Sequence, residues 1–276
     1  MIGFLGPENS YTYVAASSFY VRDQLIAYNN IGRLFYALEN DEVEGIVVPY
    51  ENMKDGTSFD MLNRVSKNNY HISRVIDLDI VLQLASKEYT INGLEQVYLT
   101  NHSLNECYNT LKKELGKYQK FEVKSNRIAA SKLDLESTIK KGAVVSIYDE
   151  LDDYNIVLNN IRDTKENLHK YIFVTKPLKV NGFHNRTIIV TAPKKNKIGA
   201  LYDILHEIVL RQLNITKILS NPIMHKEDNI EFYIEFEGNI EDKIVIEALG
   251  MIKVKSSFTK IVGSYYQKEE KESTSK

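Results

Sequence analysis

Tryptophan is absent from the 276 residues, and cysteine occurs once, as Cys107. A lone cysteine excludes an internal disulfide and cannot by itself build a thiolate metal site. No apolar run is long enough for a membrane helix and no secretory pattern opens the sequence. A cytoplasmic protein without a membrane partner is therefore expected. Charge of neither sign dominates: 35 lysines and arginines against 37 aspartates and glutamates leave a net −2. That excludes a broad basic surface, and no nucleic-acid partner is expected. The 18 tyrosines are dispersed and form no stacking series for bases. The histidines, at 71, 102, 169, 184, 206 and 225, show no HExxH or similar ligand spacing, so no metal is expected.

What the chain does have is a pair of strand-to-helix turns, Gly6-Pro7-Glu8-Asn9-Ser10-Tyr11-Thr12 and Pro49-Tyr50-Glu51-Asn52-Met53-Lys54-Asp55-Gly56-Thr57. Each follows a short apolar run that reads as a buried parallel strand, at 2–5 and 45–48. Each leads into helical periodicity, at 11–19 and 57–68, with Thr57-x-x-Asp60 as a helix start. Free N–H groups at two such helix starts favour a small anion, which points to a carboxylate-bearing metabolite.

The rest of the first half keeps the same rhythm. Further strands are expected at 24–27, 72–85, 97–99, 120–123, 143–147 and 171–175, and helices at 31–39, 104–115 and 128–136. This alternation predicts an α/β protein with parallel sheets. The run at 77–86 is long for one strand and reads as a crossing between two lobes, with a return through 156–161. The lobes are then about 1–80 plus 160–177, and 81–159, with a cleft between them. Pro177, Asn181 and Gly182 mark a linker. Beyond it, strands at 186–192, 215–222, 231–237 and 254–263 and helices at 199–212 and 242–249 give the ferredoxin-like order βαββαβ over 185–265. Residues 266–276 are polar and charged and are expected to be a disordered tail.

With these residues in view, the sequence resembles bacterial prephenate dehydratases that carry a C-terminal ACT domain. The resemblance rests on several motifs in order: the Gly6–Thr12 turn, Pro49-Tyr50-Glu51-Asn52 with Gly56, Ser125-Asn126-Arg127-Ile128-Ala129-Ala130, Ile161-Arg162-Asp163 with Asn167, and Gly199-Ala200-Leu201 with Leu205. Where the family has Thr-Arg-Phe, with its catalytic threonine, this chain reads His169-Lys170-Tyr171. Where the ACT motif Glu-Ser-Arg-Pro binds phenylalanine, it reads Leu219-Ser220-Asn221-Pro222.

The resemblance implies a periplasmic-binding-protein-like, two-lobed catalytic region (1–177) followed by an ACT domain. It implies conversion of prephenate to phenylpyruvate in phenylalanine biosynthesis, without an organic cofactor. On the matching positions, His169 stands where the proton donor belongs and Lys170 where the family's arginine holds a carboxylate. An imidazolium is a better acid near neutral pH than an alcohol, and the bulk of the ring can equally block the site. Ser10, Thr12, Asn52, Thr57 and Ser125 are the candidate substrate donors; Ser10 and Thr12 also fit plain helix caps. Glu51 reads as a brace, because a buried carboxylate needs partners. Met53 and Cys107 read as packing. Gly199, Ala200, Leu201, Ser220 and Asn221 are the candidate effector contacts for phenylalanine. Edge pairing of ACT domains implies a homodimer or homotetramer. Two other readings stay open: a prephenate decarboxylase that does not aromatise, and a catalytically silent sensor of an aromatic acid or amino acid.

Overall fold

The computed structural model describes residues 1–8, 10–52, 56–149, 151, 153–180, 182–195, 197–222 and 230–267. Met53, expected as packing, and the tail beyond 267 lie outside the described residues. In chain order the elements are β1 (Ile2–Leu5), α1 (Tyr11–Ser17), β2 (Leu25–Tyr28), α2 (Ile31–Glu39), β3 (Gly45–Asn52), β4 (Gly56–Thr57), α3 (Phe59–Lys67) and β5 (His71–Asp79). There follow β6 (Leu82–Ser86), β7 (Gln96–Leu99), α4 (Asn101–Leu115), β8 (Gln119–Glu122), α5 (Asn126–Ser131), β9 (Lys141–Ser146), β10 (Asn155–Leu158) and β11 (Leu168–Thr175). The last are β12 (Arg186–Pro193), α6 (Ala200–Val209), β13 (Ile215–Pro222), β14 (Ile230–Glu237), α7 (Lys243–Lys255) and β15 (Ser256–Tyr265).

The chain forms two compact units, one of residues 1–77 with 170–276 and one of residues 78–169. The run expected as a single strand at 72–85 is two strands, broken at Ile80-Val81. β5 belongs to the sheet of the first unit and β6 to that of the second. The backbone N–H of Ile80 therefore leaves any ladder and donates to Asn167 O at 3.0 Å.

In the first unit one sheet runs in the order β13-β14-β12-β15-β5-β11-β3-β1-β2, with β4 folded back on β3. β1 pairs in parallel with both β2 and β3, as βαβ connections require. β12, β13, β14 and β15 pair antiparallel, and with α6 and α7 they make the βαββαβ unit. The two halves of the sheet meet where Gly263 of β15 lies beside Ile72 of β5 in parallel. A Cβ on Gly263 would stand 2.4 Å from Ile72 O, so only glycine lets the backbones approach this closely.

A core of Leu34, Leu38, Ile46, Leu62, Ile188 and Tyr233 lies on one face of this sheet, joining α2, α3 and the βαββαβ strands in one apolar layer. Ile189, Ile204, Ile234 and Ile252 pack the opposite face of the ferredoxin-like part with α6 and α7. Lys260 of β15 donates to Ser66 O at 2.9 Å, satisfying a carbonyl that the end of α3 leaves open.

In the second unit the order is β10-β6-β9-β7-β8. β7 is parallel to β8 and β9, but β6 runs antiparallel to β9 and β10, so the sheet is mixed, not purely parallel. The strand at 24–27 is found one residue later, and the helix at 128–136 ends at Ser131 in a 3-10 turn, Lys132–Asp134.

Candidate active site

In the first unit, β1 and β3 are parallel neighbours, so the turns that leave their C-terminal ends emerge at one edge of the sheet. Ser10 is the N-cap of α1: its Oγ accepts from Tyr13 N at 3.2 Å and donates to Leu5 O at 3.2 Å. The plain capping role is thus filled. Thr12, in the first turn of α1, is buried.

Thr57 does not start α3. It pairs with Glu51 in the β3–β4 hairpin, and Ser58 takes the N-cap position, accepting from Met61 N at 3.3 Å. The physical reason is Glu51, whose Oε2 accepts the Thr57 hydroxyl at 2.5 Å and an ion-pairing hydrogen bond from Lys217 of β13. Lys217 also lies 5.5 Å from the centre of the Tyr50 ring. Burial alone raises the Glu51 pKa, but the Lys217 and Thr57 hydrogen bonds and the charges of Lys217 and Lys170 hold it below the ordinary glutamate value. Glu51 is the brace that buried carboxylates require. Asn52 pairs with Gly56 across the same hairpin. Asn52, Thr57 and the charge of Lys170 thus lie around Glu51, while Ser10 caps the helix that follows the neighbouring strand.

The second unit holds a cluster with no signature as a set in the sequence. Thr100 caps α4, accepting from Ser103 N at 3.0 Å. His102 and Glu106 lie one turn apart on that helix, His102 Nε2 standing 3.1 Å from Glu106 Oε1. From β11, His169 places its Nε2 3.9 Å from the same Oε1 and 3.1 Å from Asn167 Oδ1. The two imidazoles meet edge to face, with ring centres 5.6 Å apart.

The loop before His169 is tied to α4. The Asp163 N–H donates to Glu106 O at 2.6 Å, and its carboxylate accepts from the backbone and side chains of Asn109 and Thr110. Arg162 hydrogen-bonds Asp79, which also accepts from Asn167 N at 3.1 Å. His169 is 12% exposed and Glu106 13%, so His169 is not a solvent-facing strand-edge residue. Burial raises the Glu106 pKa, yet hydrogen bonds and charge from the two histidines outweigh it and bring it down to about 2. The carboxylate is therefore anionic at every physiological pH.

Ser125 caps α5 in the same unit, accepting from Ile128 N at 3.3 Å. The candidate effector residues lie on α6 and β13. Gly199 opens α6 at φ +83°, a left-handed conformation suited to glycine, with Ala200 and Leu201 following. Side chains of β13 alternate in burial, so Ser220 and Asn221 point to opposite faces. Asn221 is committed to α3, its Nδ2 donating to Asn63 Oδ1 at 3.0 Å, and Tyr233 donates to the same oxygen at 3.0 Å.

Glu106 is the residue the motifs miss. A histidine and a carboxylate at i, i+4 share one helix face, a spacing that a search for paired histidines passes over.

The family model for prephenate dehydratase matches residues 2–179. The chain belongs to the prephenate dehydratase family. The bifunctional chorismate mutase/prephenate dehydratase of Aquifex aeolicus is 31% identical over 270 residues, spanning 96% of this chain and 73% of its own. The prephenate dehydratase of Methanocaldococcus jannaschii is 29% identical over 271 residues, 94% of this chain and 95% of its own. Among solved structures, the prephenate dehydratase of Arthrobacter aurescens in complex with L-Phe superposes with a TM-score of 0.80 at 22% identity, covering 96% of this chain and 90% of that one. The fold of this prephenate dehydratase family member is the expected one: α/β lobes of the periplasmic-binding-protein kind with a ferredoxin-like βαββαβ unit. No helix among the described residues is long and apolar enough to cross a membrane.

Proposed function

We propose that this member of the prephenate dehydratase family converts prephenate to phenylpyruvate, and that His169 supplies the proton. The ring carboxylate leaves as carbon dioxide, its bonding pair moves through the ring, and the C–O bond to the ring hydroxyl breaks. One proton taken up by that hydroxyl releases water and balances the reaction. Aromatisation drives it. The protein must orient the dianion and deliver the proton, a delivery worth roughly 10²–10⁴-fold.

One observation carries the assignment: His169 is a largely buried imidazole beside an anionic Glu106, with its Nε2 at 3.1 Å from Asn167 Oδ1. A fixed carboxylate partner orients an imidazole for proton transfer. Lys170, whose charge reaches Glu51, supplies positive charge for a substrate carboxylate. It acts as a point charge, without the two-pronged fork of an arginine. Ser10, Thr12, Asn52, Thr57 and Ser125 supply hydroxyl and amide groups.

We assign residues 1–177 to catalysis and 185–265 to regulation as an ACT domain that takes an amino acid, phenylalanine by analogy with the L-Phe complex of the Arthrobacter aurescens protein. β13 lies at the end of the sheet order, which suits pairing with a second copy in a homodimer or homotetramer. A cytoplasmic location fits this biosynthetic role.

The test is to incubate the purified protein with prephenate and follow phenylpyruvate and carbon dioxide together. Equal rates of both support dehydration. Carbon dioxide without the aromatic keto acid supports a decarboxylase, and saturable binding without either product supports a sensor. His169→Ala is expected to lose at least roughly a hundredfold in kcat; full turnover in that variant removes histidine as the acid.

A further inference from the structure

The geometry points to a binding site for one divalent transition-metal ion, of the Zn²⁺ or Co²⁺ class, formed by His102, Glu106 and His169. Each residue offers one ligand atom, and the three atoms lie within 4.8 Å of one another. Tetrahedral ligands at Zn–N and Zn–O distances stand roughly 3.3 Å apart. The two edges to Glu106 Oε1, 3.1 Å from His102 and 3.9 Å from His169, bracket that value. The remaining edge, no more than 4.8 Å, closes by rotation of His102, which is 42% exposed.

Two imidazoles and one carboxylate match the donor set of zinc sites and the facial triad of other divalent transition metals. The same set disfavours Ca²⁺ and Mg²⁺, which take oxygen ligands. The site is also held in place. His102 and Glu106 stand on a 15-residue helix capped by Thr100, and Asp163 ties the loop leading to His169 onto that helix.

A second observation is independent of the ligand distances. Glu106 Oε2 and Asn167 Nδ2 are buried and have no hydrogen-bond partner among the described residues. Asn167 as a whole is 7% exposed and touches His169 Nε2 through its Oδ1. The Asn167 amide already helps to hold the Glu106 pKa down, and a guest between them that both donates and accepts completes their hydrogen bonding. A metal ion with a bound water does so: the water donates to Glu106 Oε2, and its oxygen accepts from Asn167 Nδ2.

Asn167 Oδ1 only accepts, so His169 Nε2 is the donor in their hydrogen bond; the ion displaces that proton and takes the Nε2 lone pair. Insofar as dehydration uses His169 as its proton donor, metal occupancy and turnover exclude each other. The site itself does not depend on that reading.

The experiment uses the full chain, stripped with a chelator and titrated with Co²⁺ under visible spectroscopy and with Zn²⁺ by calorimetry. The expected result is one ion per chain and a visible Co²⁺ band that Zn²⁺ displaces. His102→Ala and Glu106→Gln are each expected to weaken binding at least roughly a hundredfold, beyond what loss of an outer partner causes. His206→Ala, on α6 in the other unit, leaves binding unchanged. Thermal unfolding of each variant checks that it is folded. If Glu106→Gln fails to fold, the exposed His102 variant decides alone. Absence of the Co²⁺ band, or binding equal in wild type and His102→Ala, overturns the site. Stoichiometric Zn²⁺ binding with turnover intact keeps the site and instead removes His169 as the proton donor.

Discussion

Lys217→Met tests whether the ferredoxin-like sheet supports the substrate turn. Lys217 sits on β13, more than 150 residues from the hairpin it touches, and pairs with Glu51 while donating to Thr57 Oγ1 at 3.3 Å. Both members of the ion pair are mostly buried, at 23% and 19% exposure, so water cannot fully replace the lost partner. Methionine keeps the apolar stem but removes the charge and with it the ammonium's contact with the Tyr50 ring. A charge-assisted hydrogen bond is worth about 1.5–3 kcal/mol, so a loss of about 2 kcal/mol is expected in urea unfolding, close to a thirtyfold change in the folding constant.

Glu51→Gln alone should cost a similar amount, because Thr57 and Lys217 then face a neutral acceptor. The double variant should cost little more than either single change. A coupling energy of about 1.5–2 kcal/mol follows, read from the four-protein cycle. The pH dependence has a definite sign. Burial opposes ionisation of Glu51, but its hydrogen bonds and neighbouring lysines win and lower its pKa in the folded state. The stabilisation is therefore complete above the unfolded-state value and is lost as pH falls through the lower folded-state value. Because the hairpin carries Asn52, KM for prephenate should rise more than kcat falls. Strict additivity of the two single changes at neutral pH would refute the coupling.

Other expectations follow from single contacts. Burial, with Asp163 and Glu106 adding to it, pushes the Cys107 thiol up to about 12; labelling by a thiol reagent at pH 8 should track global unfolding, and rapid labelling of the native chain counts against that burial. Gly263→Ala forces a Cβ to 2.4 Å from Ile72 O and should cost at least about 2 kcal/mol in thermal unfolding. An unchanged Tm means that the two half-sheets are not pressed together there. Asp163→Ala removes the acceptor of four hydrogen bonds from Asn109 and Thr110 on an exposed surface. About 1–2 kcal/mol of stability should go with it, and turnover should fall because the loop places His169; unchanged kcat refutes the positioning role.

The elements with clear periodicity were legible in the residues alone. β1, α2 and β13 fall where the apolar patterns put them, because each pattern reports burial directly. The run at 77–86 was legible as a crossing because it is too long for one strand, but the place of its break, at Ile80-Val81, was not, since an apolar stretch looks the same in one sheet as between two. Thr57 was misread because its local context is that of a helix start, while its partners, Glu51 and Lys217, include one far along the chain. Ser220 and Asn221 form a contiguous motif in sequence, but strand alternation separates adjacent side chains. Glu106 escaped because its role depends on His169, 63 residues on, and only the folded loop brings them together.

These long-range contacts give the βαββαβ region a mechanical bearing on the β3–β4 hairpin. Within the first unit, β13 holds Glu51 through Lys217 and Asn63 through Asn221, and Tyr233 of the adjacent β14 meets Ser66 at 2.9 Å. Glu51 belongs to the β3–β4 hairpin and Asn63 and Ser66 to α3, the helix that follows it. A ligand that binds one position of β13 better than another therefore changes the free energy of the hairpin by the same differential amount. The linkage is reciprocal, so a substrate that fixes the hairpin must alter the affinity of that ligand by an equal factor. No relay across the molecule is needed, since strand and hairpin are in direct contact. The size of the effect is bounded by the contacts themselves, and the Lys217–Glu51 pair sets a scale of about 2 kcal/mol, or some thirtyfold in affinity.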